Sequence, residues 1–409
     1  MSKRNARSGS ANADGLDVHQ IDFLTSLPKA GYAKTTQDAK RRAVSLFIRW
    51  VRAKRLSVDA LDDACIGAFL AGRPFRRRRH HHACARAAVH QFLEHLRIAG
   101  LVPSRRSEAS PPEVLVRRYL AHLRDNRGLC PRSIEVYAPF AREFVIAQAL
   151  PKDGVTLNAS AVRSYLLDHS QNRSVSFVKL LAAALRSVLR FCFLDGATAT
   201  DLSTAIPPVR RWRLAPLPPF LTAEEVEQVL SATDRSTRRG RRAYAILLLL
   251  ARLGLRAGEV VALELDDILW GVGEIVVRGK GRLHDRLPLL ADVGEALALY
   301  LREARGSCVS RRVFVRSIAP HVALSGPTGV CLVAREAVRR AGLRPVGRVG
   351  AHIFRHGLAT QMIRRGASLA EIAQVLRHRS INTTQLYAKV EFAALRGVAL
   401  PWPSAEGRS

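Results

Sequence analysis

Proline interrupts this chain twice, over Pro103 to Pro112 and over Pro207 to Pro219, and neither stretch can continue a regular element. Proline fixes φ and has no N–H, so a helix or an inner strand stops where such a segment begins. A chain of 409 residues cut in this way folds as modules, and the length suits two or three. Both blocks before the second break read as helix. Phe23, Leu24 and Leu27 recur at helical spacing, as do Val44, Phe47, Ile48 and Val51. The second of these segments carries Lys40, Arg41, Arg42 and Arg49 on its other side. The division expected is a polar flexible arm over 1–16, a helical domain over 17–103, a second helical domain over 111–206, a Pro/Arg linker over 207–219, a third module over 220–396 and a tail over 397–409.

The two helical blocks read as copies of each other. Phe23-Leu24-x-x-Leu27 matches Tyr119-Leu120-x-x-Leu123, Thr36 falls opposite Ser133, and Phe47-Ile48 opposite Phe144-Val145. Phe69-Leu70 then matches Tyr165-Leu166, and Gly100 matches Gly196. A spacing held near a hundred residues marks a domain duplication rather than a solenoid. The competing reading is a chance match between two amphipathic bundles.

The third module mixes periods. Thr222 reads as an N-cap with Glu225 completing a capping box. Arg242 to Leu253 reads as a buried helix ending near Gly254. Glu274 to Arg278, Gly279-Lys280-Gly281 and Arg286 to Leu289 read as a β-hairpin with a glycine-flanked turn. Asp292 to Arg305 and Leu369 to Leu376 read as helices. The fold class is therefore mainly α with a small β-sheet.

Charge sets the partner. Lys and Arg number 65 against 34 Asp and Glu, a formal net charge of +31, which attracts a polyanion and most simply nucleic acid, a trait shared with ribosomal and basic membrane proteins. The excess of arginine over lysine also fits a GC-rich genome. Arg41, Arg42, Arg76, Arg77, Arg210, Arg211 and Arg213 are candidate DNA contacts, the last three on an extended proline-rich linker. His80 to His82 follow the arginine run; phosphate contact, a solvated loop and zinc are the readings open there, and the expectation is no metal. The six cysteines lie far apart without a CxxC pair, as in a reducing cytoplasm. Residues 1–15 have no apolar stretch of signal-peptide type, and the run Ala245 to Ala251 is too short to cross a bilayer, so no membrane role is expected.

The last third carries Arg256, Lys280, His352, Arg355, His378 and Tyr387 in that order. The set is rich in cations, ends in a phenol and holds no metal-ligand cluster. Arginine forks grip phosphate oxygens bidentately, a tyrosine oxygen can act as a covalent nucleophile, and lysine and histidine move protons. Glu259, three residues after Arg256, shares its face on a helix and can orient it. Tyr244 and Tyr300 lack such company and are read as packing residues.

Five passages, taken together, resemble the tyrosine recombinase family, the integrases of phages and mobile elements. They are Ala251 to Val260 around Arg256, Gly279-Lys280-Gly281, His352-Ile-Phe-Arg355-His356, Leu376-Arg-His378-Arg-Ser380 and Thr384-Gln-Leu-Tyr387. The resemblance covers roughly residues 220 to 395, and the helical block before it is similar to the family's core-binding domain. It implies site-specific recombination through a 3′-phosphotyrosyl bond on Tyr387, with Lys280 as general acid, His352 as base or donor, Arg256 and Arg355 as phosphate clamps and His378 as a donor. It implies no cofactor, no ATP, a tetramer on DNA (alone or with related recombinases) and a place on the nucleoid. It further implies that the 111–206 and 220–396 modules clamp duplex DNA. The family usually has glycine where this chain has Arg377, which leaves the turn before His378 in question. A type IB topoisomerase, a resolvase, and a non-catalytic DNA-binding protein remain as alternatives. Nothing here resembles a Walker loop, and no acidic cluster of two-metal type stands out.

Overall fold

A computed structural model describes residues 15–72, 79–102, 110–148, 150, 157–209, 219–279, 284–306 and 308–378. Contacts divide the chain into two compact units: Met1–Ser57, Asp63–His95 and Pro216–Ser409 in one, Val58–Asp62 and Leu96–Ala215 in the other.

The helices α1 (Leu16–Lys29), α2 (Lys34–Ala53), α3 (Asp63–Leu70) and α4 (Arg79–Ile98) come first. The second unit holds α5 (Pro111–Asp125), α6 (Pro131–Ala147), α7 (Ala159–Ser170) and α8 (Val175–Leu194). The positions matched in the sequence can be compared element by element. Phe23 and Leu27 of α1 are buried, as are Tyr119 and Leu123 of α5. Phe47 on α2 meets Phe69 on α3 edge-on at 5.2 Å, and their counterparts Phe144 and Tyr165 meet at 5.0 Å. Gly100 and Gly196, each just past a long helix, have φ of +74° and +76°, a left-handed conformation that suits a residue without Cβ. The stacking pair and the terminating glycine recur in the same order, whereas helix length differs between α2 and α6 (20 and 17 residues) and between α3 and α7 (8 and 12).

The C-terminal module is built around α10 (Arg238–Arg252), after α9 (Ala223–Ser231). Residues Ala245 to Leu250 are all buried, so the later half of this helix is apolar on every side and lies inside the module's core, while its first turns carry arginines. Thr222 caps α9 as expected: its Oγ1 accepts from the Glu225 N–H at 3.2 Å, and Glu225 returns by accepting from the Thr222 N–H at 2.8 Å. Helix α11 (Ala257–Ala262) follows a turn at Gly254. The strands β1 (Ile268–Leu269), β2 (Glu274–Arg278) and β3 (His284–Pro288) form an antiparallel sheet in that order, and Arg278 pairs with His284 as the last pair before the turn. The hairpin is as read from the sequence; β1 is not legible there, because two residues show no period. Helix α12 (Ala291–Leu299) widens into a π-helical turn at Tyr300–Ala304, where the Arg305 N–H donates to the Tyr300 carbonyl at 2.8 Å. Tyr300 is buried and stacks on Phe314 at 5.4 Å, a packing role as expected. Helices α13 (Pro327–Arg340), α14 (His352–Arg364) and α15 (Leu369–Val375) complete the described fold. No helix among the described residues is long and apolar enough to cross a membrane.

Candidate active site

Three segments distant in sequence converge at one end of α10. The first is the turn Leu253 to Arg256, which needs glycine. Gly254 has φ +57°, and a Cβ on it would lie 2.8 Å from Leu376 and 3.0 Å from Leu358. The turn ends α10 and delivers Arg256 as the first residue before α11, with 38% of its side chain exposed. The second segment is the start of α14, which carries His352, Arg355 and His356. The third is the end of α15, Leu376 to His378.

Arg355 fastens the three together. It is 3% exposed, and its Nη1 donates to the Gly254 carbonyl while its Nη2 donates to the Leu376 carbonyl. A buried guanidinium with donors in a fixed fork suits two carbonyls pointing inward from different loops.

Glu259 fastens Arg256. Its Oε1 accepts from Arg256 Nη1 at 2.6 Å, and its Oε2 accepts from the Arg256 backbone N–H at 2.9 Å. The same Oε2 accepts from Arg377 Nη2 at 3.0 Å. Arg256 Nη2 in turn donates to the Arg377 carbonyl at 3.2 Å. Burial alone would push the Glu259 carboxyl up. The Arg256 N–H bond, the Arg377 charge and the Arg256 side chain outweigh it and hold the group below its ordinary value. Glu259 therefore stays ionised, and Arg256 is set by a fixed carboxylate while part of its surface stays open.

The histidines of this site are held neutral. Desolvation, then the positive charges of Arg355, Arg256, His356 and Arg377, press the His378 pKa down to about 4. Desolvation, then His352 and Arg355, bring His356 to about 4. His352 keeps an exposed surface, yet desolvation on its other side and the charges of Arg355 and Arg256 lower its pKa too. A cationic, carboxylate-poor pocket of this kind is one that an anion would complete.

The β-hairpin beside the site is tied at the turn end of β2. Arg278 donates to Asp267 Oδ1 through Nε at 3.1 Å and Nη2 at 2.9 Å, and Nη2 also approaches Glu264 at 2.7 Å. The lysine expected at the hairpin tip, Lys280, and the phenol, Tyr387, both lie outside the described residues. So do Arg76, Arg77, Arg210, Arg211 and Arg213. Arg41 and Arg42 are exposed on α2. No group of three or more His, Cys, Asp or Glu side chains with metal-holding geometry occurs among the described residues. Two members of the cluster were not singled out by sequence reasoning. Gly254 had a signal in the Gly-Leu pair before Arg256. Arg377 had one in standing where glycine is usual.

The chain is similar to known proteins in sequence and in fold. Residues 219–394 match the model of the phage integrase family. A putative integrase/recombinase of Sinorhizobium fredii, y4rA, is 38% identical over 94% of this chain and 94% of its own length. Tyrosine recombinase XerD of Listeria monocytogenes is 29% identical over 69% of this chain and 96% of its own length. Among solved structures, the XerH site-specific recombinase bound to a palindromic difH substrate superposes with a TM-score of 0.54 at 16% identity, covering 98% of this chain and 100% of that one. A lambda integrase dimer bound to a core site gives 0.51 at 17% identity, covering 72% of this chain and 99% of that one.

Proposed function

The chain belongs to the phage integrase family of tyrosine recombinases, and from that premise we propose that it cuts and rejoins DNA at specific sites through a covalent 3′-phosphotyrosyl intermediate, in the service of a mobile element. The observation that carries this reading is the convergence of Arg256, His352, Arg355 and His378, fastened by Arg355 to two loops and by Glu259 to the Arg256 backbone.

The Tyr387 oxygen attacks the scissile phosphorus and gives up its proton to the solvent-facing His352, which is neutral and so able to accept it. The bond from phosphorus to the 5′ oxygen breaks as the bond to the phenol oxygen forms. Lys280 supplies the proton that the departing 5′ oxygen needs. Arg256 and the neutral His378 N–H face the non-bridging oxygens, where negative charge builds up in the pentacoordinate state, while buried Arg355, its Nη1 and Nη2 on loop carbonyls, holds the site together and adds its positive charge from behind. Losing one preorganised donor of this kind costs about 3 kcal/mol in comparable sites. The phosphotyrosyl bond keeps the energy of the broken diester, so resealing by a 5′ hydroxyl needs no nucleotide. Two arginines neutralise the phosphate, so no metal is required of the chemistry.

Recombination joins two duplexes and uses four cuts, so four copies assemble on DNA. The second helical bundle and the C-terminal module grip the duplex. The first bundle, the Pro/Arg linker and the exposed Arg41 and Arg42 add phosphate contacts.

A suicide substrate nicked near the cleavage site tests this reading. The native chain is expected to form a covalent protein–DNA adduct on the element's own ends, in the presence of EDTA, and Tyr387→Phe to form none. Adduct formation that depends strictly on magnesium, or that survives Tyr387→Phe, would sink it. Relaxation of a plasmid lacking the site would point instead to a topoisomerase.

A further inference from the structure

Resting on the proposed reaction, we propose that Arg377 is a positioning residue of the phosphate site: it sets the Arg256 guanidinium by completing the coordination of Glu259, and by the same bond fixes the turn that presents His378. Arg377 has φ +54°, a left-handed conformation that a side chain with a Cβ adopts at a cost. Glycine would occupy this turn without strain. A long cationic side chain kept there must make contacts that outweigh the penalty, and it does. Its side chain is only 8% exposed and meets the equally buried Glu259 at 3.0 Å.

The arrangement is a closed ring. Arg256 Nη1 holds one Glu259 oxygen, Arg377 Nη2 holds the other, and Arg256 Nη2 returns to the Arg377 carbonyl. Arg256 is thereby fixed from two directions by one residue, through its carboxylate partner and through a backbone oxygen. Removing the Arg377 side chain leaves the carbonyl but frees the second carboxylate oxygen. Glu259 can then rotate towards Arg256 alone, and the guanidinium turns with it.

Arg377 also faces the hairpin. Its Nε is buried without a hydrogen-bond partner among the described residues and looks towards Asp285 Oδ2 on β3 at 3.9 Å. Asp285 pairs with Val277 across the same hairpin whose turn carries Lys280. One guanidinium thus links the α11 carboxylate, the α15 turn and the hairpin strand. Among the described residues its guanidinium meets Glu259, the Val375 carbonyl at 3.2 Å and, farther off, Asp285, so it acts through Glu259 and Arg256 rather than on phosphorus.

The test is a double-mutant cycle of Arg377→Gly with Glu259→Gln, read by single-turnover adduct formation on the nicked substrate, with DNA affinity and thermal midpoint measured on the same samples. Arg377→Gly relieves the backbone and removes the guanidinium. We expect its cleavage rate to fall about 10- to 100-fold, the range for a partner that orients a reacting group, with affinity nearly unchanged. The loss should largely disappear when Glu259 is already glutamine, because the two residues act as one unit. Arg377→Lys, which can still reach Glu259, should recover part of the rate, and it carries the same comparison if the glycine variant does not fold. Native cleavage by Arg377→Gly and Arg377→Lys, or equal losses in both Glu259 backgrounds, would overturn the positioning role. Absence of any adduct with the native chain would instead defeat the reaction on which the inference rests.

Discussion

His356 and His378 sit with pKa values pressed down to about 4, and this makes the fold itself sensitive to acid. The sign follows from linkage. In the unfolded chain these rings take up protons near pH 6.5, whereas the folded site refuses them until much lower. Their contribution to stability is therefore complete above about pH 6.5 and is lost as pH falls towards 4. The thermal midpoint of the free protein should fall over that window. His356→Asn, which titrates nothing, should flatten the fall when the two are compared by calorimetry; parallel curves would show that His356 is not a source. A bound phosphodiester faces the same arginines that repel a proton from His378, so DNA should raise that pKa and shift part of the window upward. The arginines divide their work by burial. Arg256 keeps an open flank for a ligand, while buried Arg355 spends two of its donors on the Gly254 and Leu376 carbonyls. A spacing of three puts His352 and Arg355 on one helical face, but whether a guanidinium meets solvent or two loop carbonyls depends on segments 101 and 21 residues away in the chain. The role of Arg377 was hidden for the same reason: its partner Glu259 lies across the site, and only the missing glycine hinted at it.

Elements announce themselves in sequence when their signals are local. The α9 capping box, the buried α10 and the β2–β3 hairpin each carry their cause within a few residues, and each was legible. Strand β1 and the π-helical turn after α12 were not, because their causes are a partner strand and the packing of Tyr300 on Phe314. Helix α14 shows how a local rule can mislead. Gly357 lies inside it, where alanine would ordinarily gain about 1 kcal/mol of helix propensity. A Cβ at that position would, however, stand 2.4 Å from the Leu221 carbonyl oxygen, which is backbone and cannot swing away. Overpacking of this kind costs about 1–3 kcal/mol or more, so the clash should win and Gly357→Ala should lower the urea midpoint. Gly258 in α11 is the control, since its Cβ would meet only Pro327 at 4.0 Å. Gly258→Ala should leave the midpoint unchanged or raise it. Equal behaviour of the two variants would mean that α14 does not rest against Leu221 as described, and Arg355 would then lose the rigid helix that aims it.

At the scale of the whole chain, the two helical bundles differ in where they carry charge. The two bundles share their core but not their surface. Where α2 exposes Arg41, Arg42 and Arg49, the matching positions of α6 are Ala138, Pro139 and Ile146. Burial constrains the interior of both bundles alike, and the matched apolar positions lie there. The surface is free to diverge and carries no period from which its role can be read. With a net charge of +31, DNA affinity should fall steeply and log-linearly with salt. If the first copy adds phosphate contacts through α2, replacing Arg41 and Arg42 together by alanine should weaken binding about equally on cognate and random DNA. It should also reduce the slope of log affinity against log salt by about 2, near 0.9 for each phosphate released. The ion pair of Arg41 with Asp38, at 3.2 Å and exposed, is worth at most about 1 kcal/mol and does not withhold the arginine from a phosphate. A slope that stays unchanged in the double variant would assign the first bundle some task other than gripping DNA through this helix. A loss confined to the cognate site would instead mean that these arginines read bases, because backbone contacts cannot distinguish one sequence from another.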